Sequence, residues 1–230
     1  QVKNMLQSKL FYKTTKEQGS QAESVSYELL TRAGYVDQLM SGVYSFLPLG
    51  FRVMQKIENI IRKNMVESPM NGQEIVMPSL TPKENWEKTD RWANFDVLFK
   101  MKGAGDKDMA LAPTHEEIVS PLAKKVIDSY KDLPLAVFQF QIKFRNELRA
   151  KSGILRTREF LMKDLYSFHA GQEDLDKYYQ RAIKVYQNIF KQCGIGKVTY
   201  RTLASGGSFS KYSDEFQTIT PAGEDIIYVC

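Results

Sequence analysis

The sequence predicts an α+β domain in which helices pack on a largely antiparallel sheet. Three observations carry that prediction. Residues 51–67, FRVMQKIENIIRKNMVE, place Val53, Ile57, Ile60 and Ile61 on one stripe at helical spacing. Residues 138–147, FQFQIKFRNE, alternate apolar and polar side chains with the period of two that belongs to a strand. Between them, VLFKMKGAGDKDMALAP carries two strand-like runs on either side of a GAGDKD turn.

The remaining elements follow in chain order. Residues 1–19 are polar and weakly patterned, an arm or strap ahead of the domain at 20–230. SQAESVSYELLTRAG is a helix with Ser20 as its cap, Glu23 three residues on and Gly34 as its stop. GYVDQLMSGVYSFLPLG suggests turn, strand and turn, and QEIVMP a short strand that stops at Pro78. PSLTPKENWEKTDRWANF is a loop leading into a short helix, with Trp86 and Trp92 as packing anchors. Residues 114–131 are expected to be helical, with Lys124 and Lys125 on a solvated face. Residues 135–147 and 158–168 are two strands joined by a basic loop. QEDLDKYYQRAIKVYQNIFKQCG starts acidic, carries Leu175, Tyr178, Ala182, Tyr186, Ile189 and Phe190 as a stripe, and ends at Gly194. Residues 197–229 add strands around the turn ASGGSFSKYSDEF.

Bulk properties exclude several classes. The chain has 230 residues, 43% hydrophobic and 26% charged, which is the composition of a folded globular protein. A net charge of +5 permits contact with phosphates or nucleic acid without demanding it. Cys193 and Cys230 are too few and too far apart for a disulfide framework or a complete metal-ligand set, so a reducing cytoplasmic setting is the default and no metal ligands are assigned. No apolar run approaches a membrane span and no secretory signal opens the chain, so no membrane partner is implied. The chain starts at Gln1 and stops at Cys230 directly after the strand-like DIIYV, so both ends look like cuts in a longer protein.

The chemistry concentrates on the two strands. Alternation puts Phe138, Phe140, Ile142 and Phe144 on one face and Gln139, Gln141, Lys143, Arg145 and Glu147 on the other, with Arg145 and Glu147 about 7 Å apart along the strand. The return strand puts Arg158, Phe160, Met162, Asp164 and Tyr166 on one face. A guanidinium, a carboxylate, an aromatic ring and the cationic loop LRAKSGILRTR suit a nucleoside triphosphate. Arginine binds phosphate oxygens through paired charge-assisted hydrogen bonds, and a ring stacks on a base. From alternation alone, a wet sheet face with cross-strand ion pairs is favoured over a ligand site.

The wording of these segments narrows the choice. FRNE followed by REFLMKDLYSFH resembles motif 2, at about 135–168, of the class II aminoacyl-tRNA synthetases. RAGYVDQLMSGVYSFLPLGFRVMQKIENIIR followed by EIVMP resembles their motif 1, at about 51–78, ending at Pro78. With APTHEE upstream and GEDIIYV downstream, the ordered series resembles the bacterial-type prolyl-tRNA synthetases from about Ser20 to Val229. Threonyl- and seryl-specific relatives share FRxE but not the THEE and FLMKDLYSFH wording.

The resemblance implies a class II sheet flanked by helices and incomplete at the C-terminus. It implies ATP-dependent activation of proline to prolyl-adenylate and transfer to tRNA(Pro), with Mg2+ neutralising the phosphates and a homodimer formed through motif 1. Arg145, as the catalytic residue, would bridge the α-phosphate and the prolyl carboxylate. Glu147 would hold the adenine amine, Phe160 would stack on adenine, and Arg156 would reach the outer phosphates. Thr114 and Glu116 match the pair that holds the imino nitrogen of proline. Met162, Asp164 and Tyr166 would line the proline pocket. Glu215 and Gln217, alternating with Phe216, are further candidates for reaching the substrates.

Each assignment has a plainer counterpart. Thr114 and Glu117 fit a capping box, which would leave Glu116 free to face the pocket. His115 is expected to be a capped-helix or surface histidine, and His169 to end its strand through hydrogen bonds. Motif 3, the anticodon-binding domain and any editing insertion are absent from this chain, so it is expected to be weak or inactive alone. Cys230 could open a CxxC knuckle, which one cysteine does not establish. The alternative functions are a non-catalytic synthetase-like module that binds a nucleotide, an amino acid or a protein partner, and a general RNA-binding protein. The modest charge and the absence of an RNA-module signature count against the latter.

Overall fold

The computed structural model describes residues 6–16, 24–204 and 213–229. Helix α1, Val25–Arg32, is capped by Ser24, whose hydroxyl accepts from the Tyr27 amide at 3.2 Å. The caps expected at Ser20 and Glu23 lie outside the described residues. Gly34, at φ +70, ends this helix as expected, and Tyr12 of the arm packs against it. The Thr15 amide donates to the Arg32 carbonyl at 3.0 Å, so this part of the arm lies along the end of α1.

The glycine- and tyrosine-rich segment is a full hairpin, β1 Val36–Met40 against β2 Val43–Phe46, turning at Gly42 with φ +75. Helix α2, Pro48–Val66, begins earlier than its stripe suggests because Pro48 is pre-set for the first helical turn. Strand β3, Gln73–Glu74, is only two residues long and runs parallel to the later strand β7, Leu135–Phe144. Next come β4 Leu80–Pro82, α3 Lys83–Glu87, α4 Arg91–Asn94, β5 Phe99–Lys102 and β6 Asp108–Leu111. The expected hairpin is β5–β6, and β4 pairs on the other edge of β6. Trp86 is fully buried with Leu98 and Ala110 in a small core, its indole N–H donating to the Thr81 hydroxyl at 2.8 Å.

The helix expected over 114–131 is much shorter: α5 is Glu116–Ala123, followed by a separate turn at Tyr130–Asp132. Pro121 sits inside α5 and cannot donate to the Glu117 carbonyl, so Asn85 donates there instead at 3.0 Å. Ser129 and Asp132 then form their own capping box and restart the chain. Lys124 and Lys125 are exposed, as expected.

Strands β7, Leu135–Phe144, and β8, Glu159–Phe168, pair antiparallel over ten residues, with β3 on the outer edge of β7. Helix α6, Gln172–Gln192, returns across them and ends before Gly194 at φ +84. The main core is the phenylalanine face of β7 packed against α2 and α6, where Phe138, Met65, Met70, Tyr178, Val185 and Ile189 meet. Val185 takes a central place that the expected stripe did not include, while Leu175 lies at its edge. Strands β9 Thr199–Ala204 and β10 Ser213–Thr218 make a separate antiparallel pair, and most of the turn expected between them lies outside the described residues.

The strand-like DIIYV run forms no strand. Ile226 is 85% exposed and Tyr228 94%, since no neighbouring edge among the described residues pairs with them. No helix among the described residues is long and apolar enough to cross a membrane.

Helix α2 approaches the hairpin most closely at Gly50. A Cβ there would lie 2.1 Å from the Tyr35 carbonyl oxygen, which is backbone and has nowhere to move. Gly50→Ala is therefore expected to cost about 1–3 kcal/mol in urea unfolding, the usual penalty of overpacking.

Candidate active site

The ten-residue register of β7 and β8 builds the site. It sets Lys143 opposite Phe160, Gln141 opposite Met162, Gln139 opposite Asp164 and Val137 opposite Tyr166. The polar side chains therefore share one face, as alternation predicts, but that face is not wet. Gln139 and Lys143 are both 0% exposed. The Met77–Pro78 segment and the turn ahead of α5 cover it. The Gln139 side-chain oxygen accepts from the Met77 amide at 2.9 Å, and the Gln141 amide nitrogen donates to the Met77 carbonyl at 2.5 Å.

Beneath this cover lies a charge network that the sequence reading missed. The Lys143 ammonium is 2.8 Å from one carboxylate oxygen of Asp164, and Gln139 donates to the other at 2.9 Å. The same ammonium donates to Nδ1 of His115. Nε2 of His115 is 3.2 Å from the Pro78 carbonyl, which can only accept, so Nε2 carries the proton and Nδ1 is the acceptor. The His115 amide meets the Tyr166 hydroxyl at 3.2 Å. His115 is thus fully buried and not a surface histidine, although it does stand at the cap of a helix, as the other expectation had it. Lys143 was legible only as a member of the Arg145 face; alternation assigns a side, not a depth.

The capping box expected at Thr114 and Glu117 does not form. His115 occupies the cap position of α5 without a side-chain cap, and Thr114 instead donates its hydroxyl to Glu116. Glu117 is buried and accepts from Arg91 at 2.7 Å and from Thr89 at 3.1 Å. Arg91 also lies 3.9 Å from Glu116, so one guanidinium steadies both carboxylates. Glu116 does remain partly open, with 39% of its side chain exposed.

Arg145 follows β7 directly. Its amide donates to the Arg158 carbonyl at 2.8 Å, and its guanidinium lies 5.3 Å from the centre of the Phe160 ring and 3.4 Å from the Pro113 carbonyl. Burial lowers its pKa, opposed by Glu147 and Glu116, and as an arginine it stays charged. Glu147 departs from the expected alternation. The extended backbone ends at Phe144, and the Glu147 amide turns back to the Arg145 carbonyl at 2.7 Å. A turn therefore places Glu147, 3.6 Å from the Arg156 guanidinium.

Arg156 and Lys151 both pair with Glu224, each at 3.2 Å. Arg158 is used differently: its guanidinium donates to the carbonyls of Glu147 at 2.9 Å and Ser41 at 2.6 Å, splicing the loop to the β1–β2 turn. Burial, followed by the nearby Glu116 and Asp164 carboxylates, pushes the Tyr166 phenol far up, so it remains a neutral donor.

The structure thus brings together Thr114, Glu116, Arg145, Phe160, Met162, Asp164 and Tyr166, with Glu147 and Arg156 paired at the edge. Glu215 and Gln217 stand apart. Gln217 donates to Glu215 at 3.0 Å, and their hairpin is held to α6 by Phe216 against Tyr186 and Phe190. Among the described residues no hydrogen bond or ion pair joins them to the β7–β8 face.

His169 closes its strand as expected, 3.0 Å from the Ser167 hydroxyl and 2.6 Å from Asp174. That is the atom order of a hydrolase triad. With 4% of its side chain exposed, however, His169 is a strand-to-helix joint rather than an accessible base.

Residues 99–230 match the family model described as the tRNA synthetase class II core domain (G, H, P, S and T), and the chain belongs to that family. Within it, the chain is similar to proline–tRNA ligases. It is 45% identical to the one from Dehalococcoides mccartyi strain 195 over 98% of this chain, and 44% identical to the one from a Geobacillus species over 97%. It spans 39% of the length of each of these relatives. The fold is shared with a prolyl-tRNA synthetase from Cryptosporidium parvum, solved in complex with L-proline and AMP. The TM-score is 0.66 at 20% identity, covering 77% of this chain and 35% of that one.

Burial and the adjacent Lys143 charge push the His115 pKa down from 6.5 to about 4. The unfolded chain takes up this proton below pH 6.5 and the folded chain does not. The contribution of His115 to stability is therefore complete above pH 6.5 and is lost as pH falls toward 4, by at most about 1.4 kcal/mol per pH unit. Urea unfolding at pH 7 and pH 5 should show this acid loss in the native protein and a flatter profile in His115→Gln.

Proposed function

We propose that the protein containing this chain is a proline–tRNA ligase, activating proline with ATP to prolyl-adenylate and pyrophosphate and transferring it to tRNA(Pro). The observation that carries the reading is Arg145, a permanent cation stacked on Phe160 and set beside Glu116 and Glu147. The same two names, in the matched relatives and in the shared fold, support it. The prolyl carboxylate attacks the α-phosphate in line, so no protein nucleophile is required. The task of the protein is positioning and charge stabilisation.

In this reading Arg145 binds the α-phosphate and the amino-acid carboxylate. Phe160 offers its face to adenine and Glu147 accepts from the adenine amine. Arg156 meets the outer phosphates. Thr114 and Glu116 hold the imino nitrogen, while Met162, Asp164 and Tyr166 shape the pocket. Magnesium is bound mainly by phosphate oxygens with one or two carboxylates. Glu224, 3.2 Å from Arg156, would be a carboxylate available beside the proposed outer phosphates. The described residues contain no cluster of three or more His, Cys, Asp or Glu able to hold a metal unaided. When bound, the ion supplies neutralisation of phosphate charge.

Residues 20–230 form part of the catalytic domain and 1–19 its N-terminal arm. The half-exposed Val53 and Ile57 of α2 line an apolar groove of about 310 Å3, a surface suited to a second copy, and support a homodimer formed through this helix. ATP, proline and tRNA meet in the cytoplasm, where we place the reaction.

The test is ATP–pyrophosphate exchange by the full-length protein with proline, alanine, cysteine or threonine. Exchange with proline is expected, and exchange with threonine but not proline would sink the specificity. No exchange with any amino acid would favour the non-catalytic module. Arg145→Ala should slow exchange by about 100-fold or more while leaving the unfolding midpoint in place; near-normal turnover would refute its role.

A further inference from the structure

We propose that Lys143 is a positioning residue for the amino-acid half of this site, holding its two walls in register through one buried ammonium. This rests on the reading above for what the two walls bind, but not on which amino acid it is. One wall is β8, where Asp164 pairs with Lys143 at 2.8 Å. The other is the turn ahead of α5, where His115 accepts from Lys143 through Nδ1 and carries Thr114 and Glu116 on either side. The two walls meet again where the His115 amide faces the Tyr166 hydroxyl at 3.2 Å.

Lys143 is 0% exposed and too deep to touch a substrate, so it acts only through these partners. An ammonium has three donors and no acceptor. One donates to His115 and the charge is paired with Asp164, on different elements, so neither wall can move without breaking a contact to the ammonium. The nucleotide half shares Pro113 with this turn but is otherwise held by contacts that do not involve Lys143. Arg145 rests on Pro113 and Phe160, and Glu147 is set by its turn and by Arg156.

Removing the ammonium should therefore loosen the amino-acid pocket and spare the nucleotide site. Burial lowers the Lys143 pKa while Asp164 supports the charge, so the ion pair rather than the chain length is what counts. Lys143→Met keeps the length and removes the charge.

The experiment is amino-acid activation by the full-length protein, with KM measured separately for ATP and for whichever amino acid the wild type activates. Lys143→Met is expected to raise the amino-acid KM at least about tenfold while the ATP KM stays within about twofold. His115→Gln, which leaves the Lys143–Asp164 pair intact, should give a smaller rise in the same direction. A merely structural role would lower the active fraction, and so kcat, with both KM values unchanged; that result overturns the proposal, as does a parallel rise in both. If Lys143→Met does not fold, His115→Gln decides, and an unchanged amino-acid KM overturns it. Wild-type activation of an amino acid other than proline removes the functional reading above and leaves this test in force.

Discussion

The site depends on one buried charge. Moving an ammonium out of water costs several kcal/mol, and only close, well-oriented partners return it. Lys143 has them: the Asp164 carboxylate at 2.8 Å and the bare nitrogen of His115. Taking away one partner of such a pair costs about 3–5 kcal/mol, because the other is left buried and uncompensated. That penalty makes the arrangement selective. It favours the register of β7, β8 and the 112–115 turn in which the ammonium keeps both partners, and replaces an adaptable apolar contact with a geometric one.

Around this charge, arginines do structural work of a kind usually left to backbone. Arg158 ties the β1–β2 turn to the loop after β7 by donating to main-chain oxygens on both. Gly42 makes that approach feasible, since a Cβ there would lie 3.1 Å from the Arg158 amide and closer still to Ala150. Arg91 steadies Glu117 in the interior and reaches toward Glu116 at the rim. Sequence position alone would have grouped Arg156 and Arg158 as equivalent loop cations. Their partners separate them: Arg156 pairs with carboxylates, whereas Arg158 is consumed by main-chain carbonyls.

The elements legible in the sequence were those defined by local pattern. Alternation correctly sorted Phe138 and Phe140 from Gln139 and Lys143, and the helical stripe found α2. What escaped was set by contacts distant in sequence. The depth of Lys143 comes from Met77 and Pro78 and from the turn before α5, more than 25 residues away on either count. The capping box at Thr114 does not form because Glu117 is engaged by Arg91 and Thr89 instead, partners more than 25 residues away. The long helix failed for a local reason that was visible, Pro121, whose missing donor is compensated by Asn85. Glu147 was assigned to the right neighbourhood by the wrong geometry, since a turn rather than a strand presents it.

Glu224 occupies both Lys151 and Arg156. The basic loop is therefore not a bare cationic funnel, because part of its charge is paired with a tethered counter-ion. An anion that takes Arg156 competes with that carboxylate for the guanidinium, so binding there is in part ion exchange in which the protein supplies the rival. Such a site gains affinity only to the extent that the newcomer outcompetes a covalently attached rival at high local concentration. It thereby discriminates against singly charged anions, which offer no more than Glu224 does, in favour of those carrying several charges at once.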